Sequence, residues 1–354
     1  METRRTVSVV ISLACATACL LIVAMSCSPD KTTPEERAAG ETQIIANDTG
    51  SAVALTDAEA RIDTLQLNYS GGEVYRYRVL QTSSGGPDSG VVTSHSQHTY
   101  TKRIKSKRAD GNFEIGITFD SISSSFTMKN MVTGKVIRQE SFTSADTAQL
   151  KDPKNLNYSA VLGIEVTMIV SPKGKVQEII GASTIVNRMI PAGQELAPDR
   201  KEMLKKQVET AMFGAFSEQE YLRFPEKPLD STQSWNTSTA TILGDLFTVE
   251  STNTYRVSTV KKVKGLRIAE VTASVVGAIK ARKIPPEYKV AVKVTKSIIS
   301  GTGRTVIDLA KGYTITKSND VNMSVNAAIT NLADGRVEKG EQKTTIRYSV
   351  ELLR

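Results

Sequence analysis

The chain is poor in the two side chains that most often do chemistry. Its 354 residues include three cysteines, Cys15, Cys19 and Cys27, and two histidines, His95 and His98. The body after residue 27 carries no thiol, which excludes an internal disulfide and leaves stability to a core that a chain of this size is able to bury. A serine triad would have to take His95 or His98 as its base, and no Gly-x-Ser-x-Gly elbow is present. Ser258-Thr259-Val260-Lys261 spells Ser-x-x-Lys, but it sits in a Thr- and Val-rich strand pattern without companion motifs, so chance explains it better. His95 and His98 lie three apart in a Gly- and Ser-rich loop entering a strand, where that spacing sends the two rings to opposite faces. They are expected to be solvated loop residues, with no metal between them.

What the sequence does have begins at its N-terminus. Arg4 and Arg5 precede an uncharged apolar run from Val7 to Met25, followed by Ser26-Cys27-Ser28-Pro29-Asp30. A polar, proline-broken stretch follows the run instead of a basic stop-transfer flank, so the body is expected to be exported. Positions 24 to 27 resemble the lipobox of bacterial lipoproteins, although Ala24 stands where the pattern prefers Leu. The resemblance implies cleavage between Ser26 and Cys27 and acylation, including palmitate, at Cys27. Ser28, where Asp would resemble an inner-membrane signal, implies the outer membrane.

Residues 28–54 show no apolar period and read as a spacer. From Leu65 onward, period-two alternation dominates. Leu65, Leu67 and Tyr69, a Ser70-Gly71-Gly72-Glu73 turn, then Tyr75, Tyr77 and Val79 against Arg76 and Arg78 read as a half-buried hairpin. One helix interrupts the strands: Leu204, Val208, Ala211, Met212 and Ala215 recur at helical spacing after Pro198-Asp199, and Phe213 and Phe216 widen the stripe. Later strands are expected near 235–249, 252–261, 265–280, 287–300, 303–309, 312–330 and 343–353, with Gly301-Thr302-Gly303 as a turn or bulge between two of them. The expected fold is mainly β with one amphipathic helix: curved antiparallel meander sheets, half-barrel-like, arranged as two consecutive units. Its divisions are a signal peptide at 1–26, a flexible tether at 27–60, a first β unit at 61–190, a helical connector at 191–219 and a second β unit at 220–354.

Several phrases resemble an uncharacterised family of bacterial lipoproteins. They are the Leu67-x-Tyr69, Gly71-Gly72, Tyr75-x-Tyr77 opening; Ser171-Pro172-Lys173-Gly174-Lys175-Val176; Phe224-Pro225-Glu226-Lys227-Pro228-Leu229 leading to Ser234-Trp235; and Gly301-Thr302-Gly303 followed by Asp308 and Gly312. The resemblance covers most of residues 65 to 353 and implies no assigned activity and no active residues. At the level of architecture, a curved sheet with a helix on its concave side is similar to the half-barrel lipoprotein carriers of the bacterial envelope, which hold acyl chains between sheet and helix.

Charge is the other positive feature. Removing Arg4, Arg5 and Glu2 from 45 basic and 37 acidic residues leaves 43 against 36, and Arg256 to Lys296 holds eleven basic residues against Glu270 and Glu287. A second cluster is Lys102, Arg103, Lys105, Lys107 and Arg108. Arg103, Lys105 and Lys107 are expected to share one strand face and, with Lys102, to form a patch for lipid phosphates or acidic glycans; nucleic acid is not an expected partner outside the cytoplasm. The sequence thus leads to a membrane-tethered, non-enzymatic binder or carrier without a cofactor, holding lipid or another apolar ligand along Leu204, Val208, Met212 and Phe216. The alternative is an envelope scaffold or adhesion protein that grips a protein or anionic glycan through its basic strand faces.

Overall fold

The computed structural model describes residues 55, 60–87, 90–191, 193–243, 246–284 and 289–353; Ser26, Cys27 and most of the proposed tether lie outside them. Twelve strands form one sheet: β1 (Val74–Pro87), β2 (Gly90–Lys107), β3 (Phe113–Asn130), β4 (Val136–Thr143), β5 (Glu165–Val170), β6 (Val176–Ile180), β7 (Ser234–Leu243), β8 (Phe247–Val263), β9 (Leu266–Ala281), β10 (Val290–Asp308), β11 (Thr314–Asn331) and β12 (Val337–Leu353). They pair antiparallel in the order β6-β5-β3-β2-β1-β12-β11-β10-β9-β8-β7, with β4 on the far half of β3. The β1–β12 ladder runs from Arg76↔Leu353 to Pro87↔Gln342, so the two runs of strands make one continuous sheet. It stays open, with β6 and β7 at its ends. Strands of 17 to 19 residues such as β8 and β10 are about 60 Å long, which leaves a sheet far longer than any one helix could cover.

Alternation sorts the side chains into two faces. Tyr77 and Val79 of β1, Tyr100 and Ile104 of β2, and Ile115, Ile117 and Phe119 of β3 are buried on what is here called the inner face, while Arg76 and Arg103 point to the outer one. A helical layer covers this end of the inner face. It comprises α1 (Thr147–Lys151), a 3₁₀ turn at Pro153–Asn155, α2 (Leu156–Ser159), α3 (Ala182–Met189), α4 (Pro198–Gln207), a π-helical stretch Val208–Gly214, and α5 (Ala215–Glu220). The single helix expected at 199–216 is therefore longer and not regular. The wide π turn carries the buried stripe from Val208 to Phe213, five residues on, and then to Phe216 and Glu220. Strict helical spacing put Met212 in the stripe's centre; it is half-buried instead.

Three other expectations change. Leu65, Leu67 and Tyr69 are buried as their alternation suggests, but they do not pair with β1 in a hairpin. β1 already has β2 and β12 on its two sides, so residues 62–69 cross the end of the sheet as a strap. The Leu67 N–H donates to Pro172 C=O at 2.7 Å, and the Asn68 N–H to Lys311 C=O at 2.9 Å. Gly301-Thr302-Gly303 is no turn; it lies within β10, and residues 290–308 form one strand where two were expected. His95 and His98 likewise belong to the interior of β2, with His98 on the buried face.

The glycines of β9 and β10 shape the sheet. A Cβ on Gly277 would stand 2.3 Å from the Glu250 carbonyl oxygen, and one on Gly301 2.5 Å from that of Asp320. Both would project from the inner face, so neighbouring strands fold over that face where these side chains are missing. Beyond the pair Ile299↔Gly277, β10 parts from β9: residues 290–297 stay with β11, and residues 278–281 with β8. Just past that pair the two strands are joined through a side chain, the Ile279 N–H donating to the Ser297 hydroxyl at 2.6 Å.

Candidate ligand-binding face

The helical layer is locked to the sheet at its inner edge by charge. The Glu220 carboxylate, at the end of α5, accepts from Lys102 Nζ of β2 at 2.6 Å and from the Tyr100 hydroxyl. Both charged side chains are 1% exposed. Lys102 Nζ also donates to the Tyr69 hydroxyl at 3.3 Å and lies 4.7 Å from the centre of the Tyr77 ring, with Tyr75 and Tyr221 close by. Burial pulls the Lys102 ammonium below its ordinary pKa and pushes the Glu220 carboxyl above its own, a desolvation cost that their short contact offsets. Lys317 of β11 completes the clasp by donating to the carbonyls of Gln219 (2.7 Å) and Glu218 (3.3 Å), and burial lowers its pKa to about 8. A lysine with a depressed pKa beside Glu and Tyr is a pattern found in active sites. Here the pair is sealed inside a cage of tyrosines, which suits a fastener better than a reaction centre.

This arrangement corrects the reading of the basic cluster. Lys102 is not part of a surface patch, because the inner-face parity of β2 turns it into the core. A bulge between Ile104 and Ser106 breaks the alternation behind it. Arg103 is exposed on the outer face, Lys105 pairs with Glu165 at 2.8 Å, and Lys107 is shifted in register to lie 5.6 Å over the Phe113 ring. The four residues do not share a face.

Of the apolar residues assigned to a ligand, Val208 and Phe216 are in the core and Leu204 and Met212 are packed half-buried against it. Phe216 stands 4.8 Å from Tyr100 and 5.5 Å from Phe119, centroid to centroid, and Phe213 6.1 Å from Phe119. The helix is thus packed directly onto the sheet's own aromatic side chains, each edge-on or tilted ring pair adding roughly 0.5–1.5 kcal/mol beyond its buried area.

Apolar surface of another kind occupies the opposite half of the inner face. Leu246, Phe247, Ile279 and Ile299 are buried there, with Val249, Val292, Val294, Val321, Met323 and Val325 half-buried around them. Among the described residues this cluster is built from β8–β11 and their turns alone, with no helix over it. Its residues come from both sides of the point where the β9–β10 ladder ends, and they pack on one another around Ile299. The signal was present in the sequence, in the alternations Val290/Val292/Val294 and Val321/Met323/Val325; what the sequence did not show was that the helix stops short of them.

The outer face carries a shallow depression of about 460 Å³ lined by Leu80, Thr82, Thr302, Arg304 and Arg347 among others. Its arginines are occupied: Arg347 pairs with Asp320 at 2.7 Å and Arg304 with Glu270 at 2.6 Å. Ser258 of the Ser-x-x-Lys phrase is exposed on β8 and donates to the Glu270 carbonyl at 3.1 Å.

Fold and faces together define a single-sheet β protein, open at both edges, with a helical layer clasped over one half of one face. The chain belongs to a family of unknown function, DUF6263, which matches residues 110–312. No curated protein matches it. Among solved structures it is similar to a lipovitellin structure concerned with lipid–protein interactions, at 10% identity over 81% of this chain and 26% of that one, with a TM-score of 0.42. The chain therefore spans about a quarter of that protein's length. It is also similar to OccK7 (OpdD) of Pseudomonas aeruginosa, at 7% identity over 80% of this chain and 99% of that one, with a TM-score of 0.25. A DUF1329 family protein from Desulfovibrio piger matches at 8% identity over 78% of this chain and 85% of that one, with a TM-score of 0.12. Among the described residues no helix is long and apolar enough to cross a membrane.

Proposed function

We propose that the protein is a non-enzymatic lipoprotein of the bacterial outer membrane that binds or carries a lipid or other apolar ligand. The observation that carries this reading is the aliphatic cluster around Ile299, which continues the inner face past the end of the helical layer with half-buried side chains. Half-buried Val321, Met323 and Val325 offer side chains that an acyl chain would finish covering, at about 0.8 kcal/mol per buried methylene. The ligand site thus moves from beneath the helix, where Phe213 and Phe216 already fill the space, to the half of the face the helix leaves open.

An apolar fluorescent probe and native mass spectrometry test this reading. The wild type is expected to bind the probe and to co-purify with lipid, and Val321→Glu/Met323→Glu to bind at least tenfold more weakly while unfolding at a similar urea concentration. No bound lipid and no probe response in the wild type would sink the reading. The anchor has a separate test: in a bacterial host given labelled palmitate, the wild type takes up label and Cys27→Ser does not, whereas equal labelling overturns lipidation at that residue.

A further inference from the structure

Two hairpin tips at the far end of the sheet are built alike. The β3–β4 turn reads Asn130-Met131-Val132-Thr133-Gly134-Lys135-Val136, and the β11–β12 turn reads Asn331-Leu332-Ala333-Asp334-Gly335-Arg336-Val337. In the first, the Asn130 N–H donates to Lys135 C=O and the Gly134 N–H to Asn130 C=O, both at 2.9 Å; in the second, Asn331 and Gly335 donate to Arg336 C=O and Asn331 C=O, both at 2.8 Å. The asparagine side chain braces each tip by accepting from the backbone two residues on, Val132 in one case and Ala333 in the other, at 2.9 Å. Gly134 and Gly335 take φ of 67° and 70°, the left-handed conformation each turn requires.

Each tip presents an apolar residue, then a base, then an exposed valine. Met131 is 59% exposed, Val132 90%, Ile137 56% and Leu332 60%. Val136 and Val337, which follow the bases, are both exposed. Below the tips lies basic residue after basic residue: Lys129 and Lys135 on the first hairpin, Arg336 and Lys339 on the second, and Lys289 and Lys293 on neighbouring β10 and its turn, all exposed. Of the nearby acids, Glu140 is engaged by Arg138 and Glu341 by Lys343, Asp334 accepts from the Arg336 backbone N–H at 3.0 Å, and half-buried Glu338 lies between Val337 and Lys339, which leaves the bases in excess. The two tips are separated by β2 and β1, roughly 20 Å along the sheet at ordinary strand spacing.

We propose that these paired tips dock the far end of the sheet onto an anionic lipid surface, the apolar tip residues entering the headgroup layer and the lysines and arginines behind them meeting lipid phosphates. The two depths of the arrangement favour a bilayer over a protein partner. Protruding methionine, leucine and valine at separate convex tips match a soft apolar layer, and a cationic collar a few ångströms further back matches the headgroup plane. This inference does not depend on a ligand at the Ile299 cluster, and it would hold if that cluster bound nothing.

The test uses the full chain with Cys15, Cys19 and Cys27 changed to Ser, carrying one new cysteine labelled with an environment-sensitive dye. The cysteine is placed at Val132 or, as the control at the opposite end of the sheet, at Asp110 in the β2–β3 turn. In vesicles of phosphatidylglycerol and phosphatidylcholine the dye at 132 is expected to shift to the blue and be quenched by bilayer-borne quencher, with the dye at 110 unchanged. The response should weaken roughly fivefold for each of Lys135→Gln and Arg336→Gln, each of which removes one positive charge. Equal responses at 110 and 132, equal responses in pure phosphatidylcholine, or no response at 132 would each overturn the proposal. A shift at 132 that rises with protein concentration without vesicles would overturn it too, in favour of self-association.

Discussion

Glu220→Ala is expected to destabilise the fold by about 3–5 kcal/mol, a loss that urea unfolding measures directly. The substitution leaves the Lys102 ammonium enclosed by tyrosines with only the Tyr69 hydroxyl at 3.3 Å as a polar partner, and it also strips the Tyr100 hydroxyl of its acceptor. The cost comes from abandoning a buried charge, not from any large net worth of the pair, because desolvation offsets much of the attraction between Lys102 and Glu220. That distinction is testable. Lys102→Met/Glu220→Leu removes both charges and fills similar volume, so it should recover most of the loss and stand close to the wild type. A Glu220→Ala protein within about 1 kcal/mol of the wild type would mean that the clasp does not hold the helical layer.

The same residues show where sequence reasoning reached its limit. Period two identified the strands and placed Tyr77 and Val79 inward and Arg76 outward, because strand parity is a local property. It also placed Lys102 on a strand. It does not distinguish Lys102, which shares the parity of Tyr100 and Ile104, from the charged neighbours that surround it in sequence. Its partner, Glu220, is 118 residues away in sequence, and no local pattern announces such a pair. The bulge after Ile104 has no local signature either, and the alternation reads as though it ran uninterrupted through Lys105 and Lys107.

The helix was legible in existence and illegible in phase. Apolar spacing located it, but a π turn inserts its extra residue without a distinctive sequence cost, and the stripe then slips from Met212 to Phe213. The strap at 62–69 failed for a different reason. Alternating burial says that one side of an extended segment faces a core, not which partner takes its backbone, and here the loops at Pro172 and Lys311 take it. The continuity of the sheet depends on the longest-range ladder in the molecule, β1 with β12, which no local signal encodes.

His98 carries the second large effect, and it is read through pH. The imidazole lies on the inner face of β2, opposite Val79 and Ile122 in register and 5.4 Å from the Phe119 ring and 6.2 Å from that of Tyr100, with neither ring nitrogen bonded to a protein group. Burial among these uncharged groups lowers its pKa to about 4, against 6.5 for an ordinary histidine. The unfolded chain therefore binds more protons than the folded one between those two values. The neutral ring is tolerated above pH 6.5, and the stability it permits is lost as pH falls through the window, by about 3 kcal/mol once pH 4 is reached. Other carboxylates titrate over the same range, so the informative quantity is the difference between the wild type and His98→Phe or His98→Leu. Each variant should lose less stability than the wild type between pH 6.5 and 4, and the gap should close to a constant above pH 7. Parallel stability curves for wild type and both variants would show that the ring is not held neutral in the folded sheet.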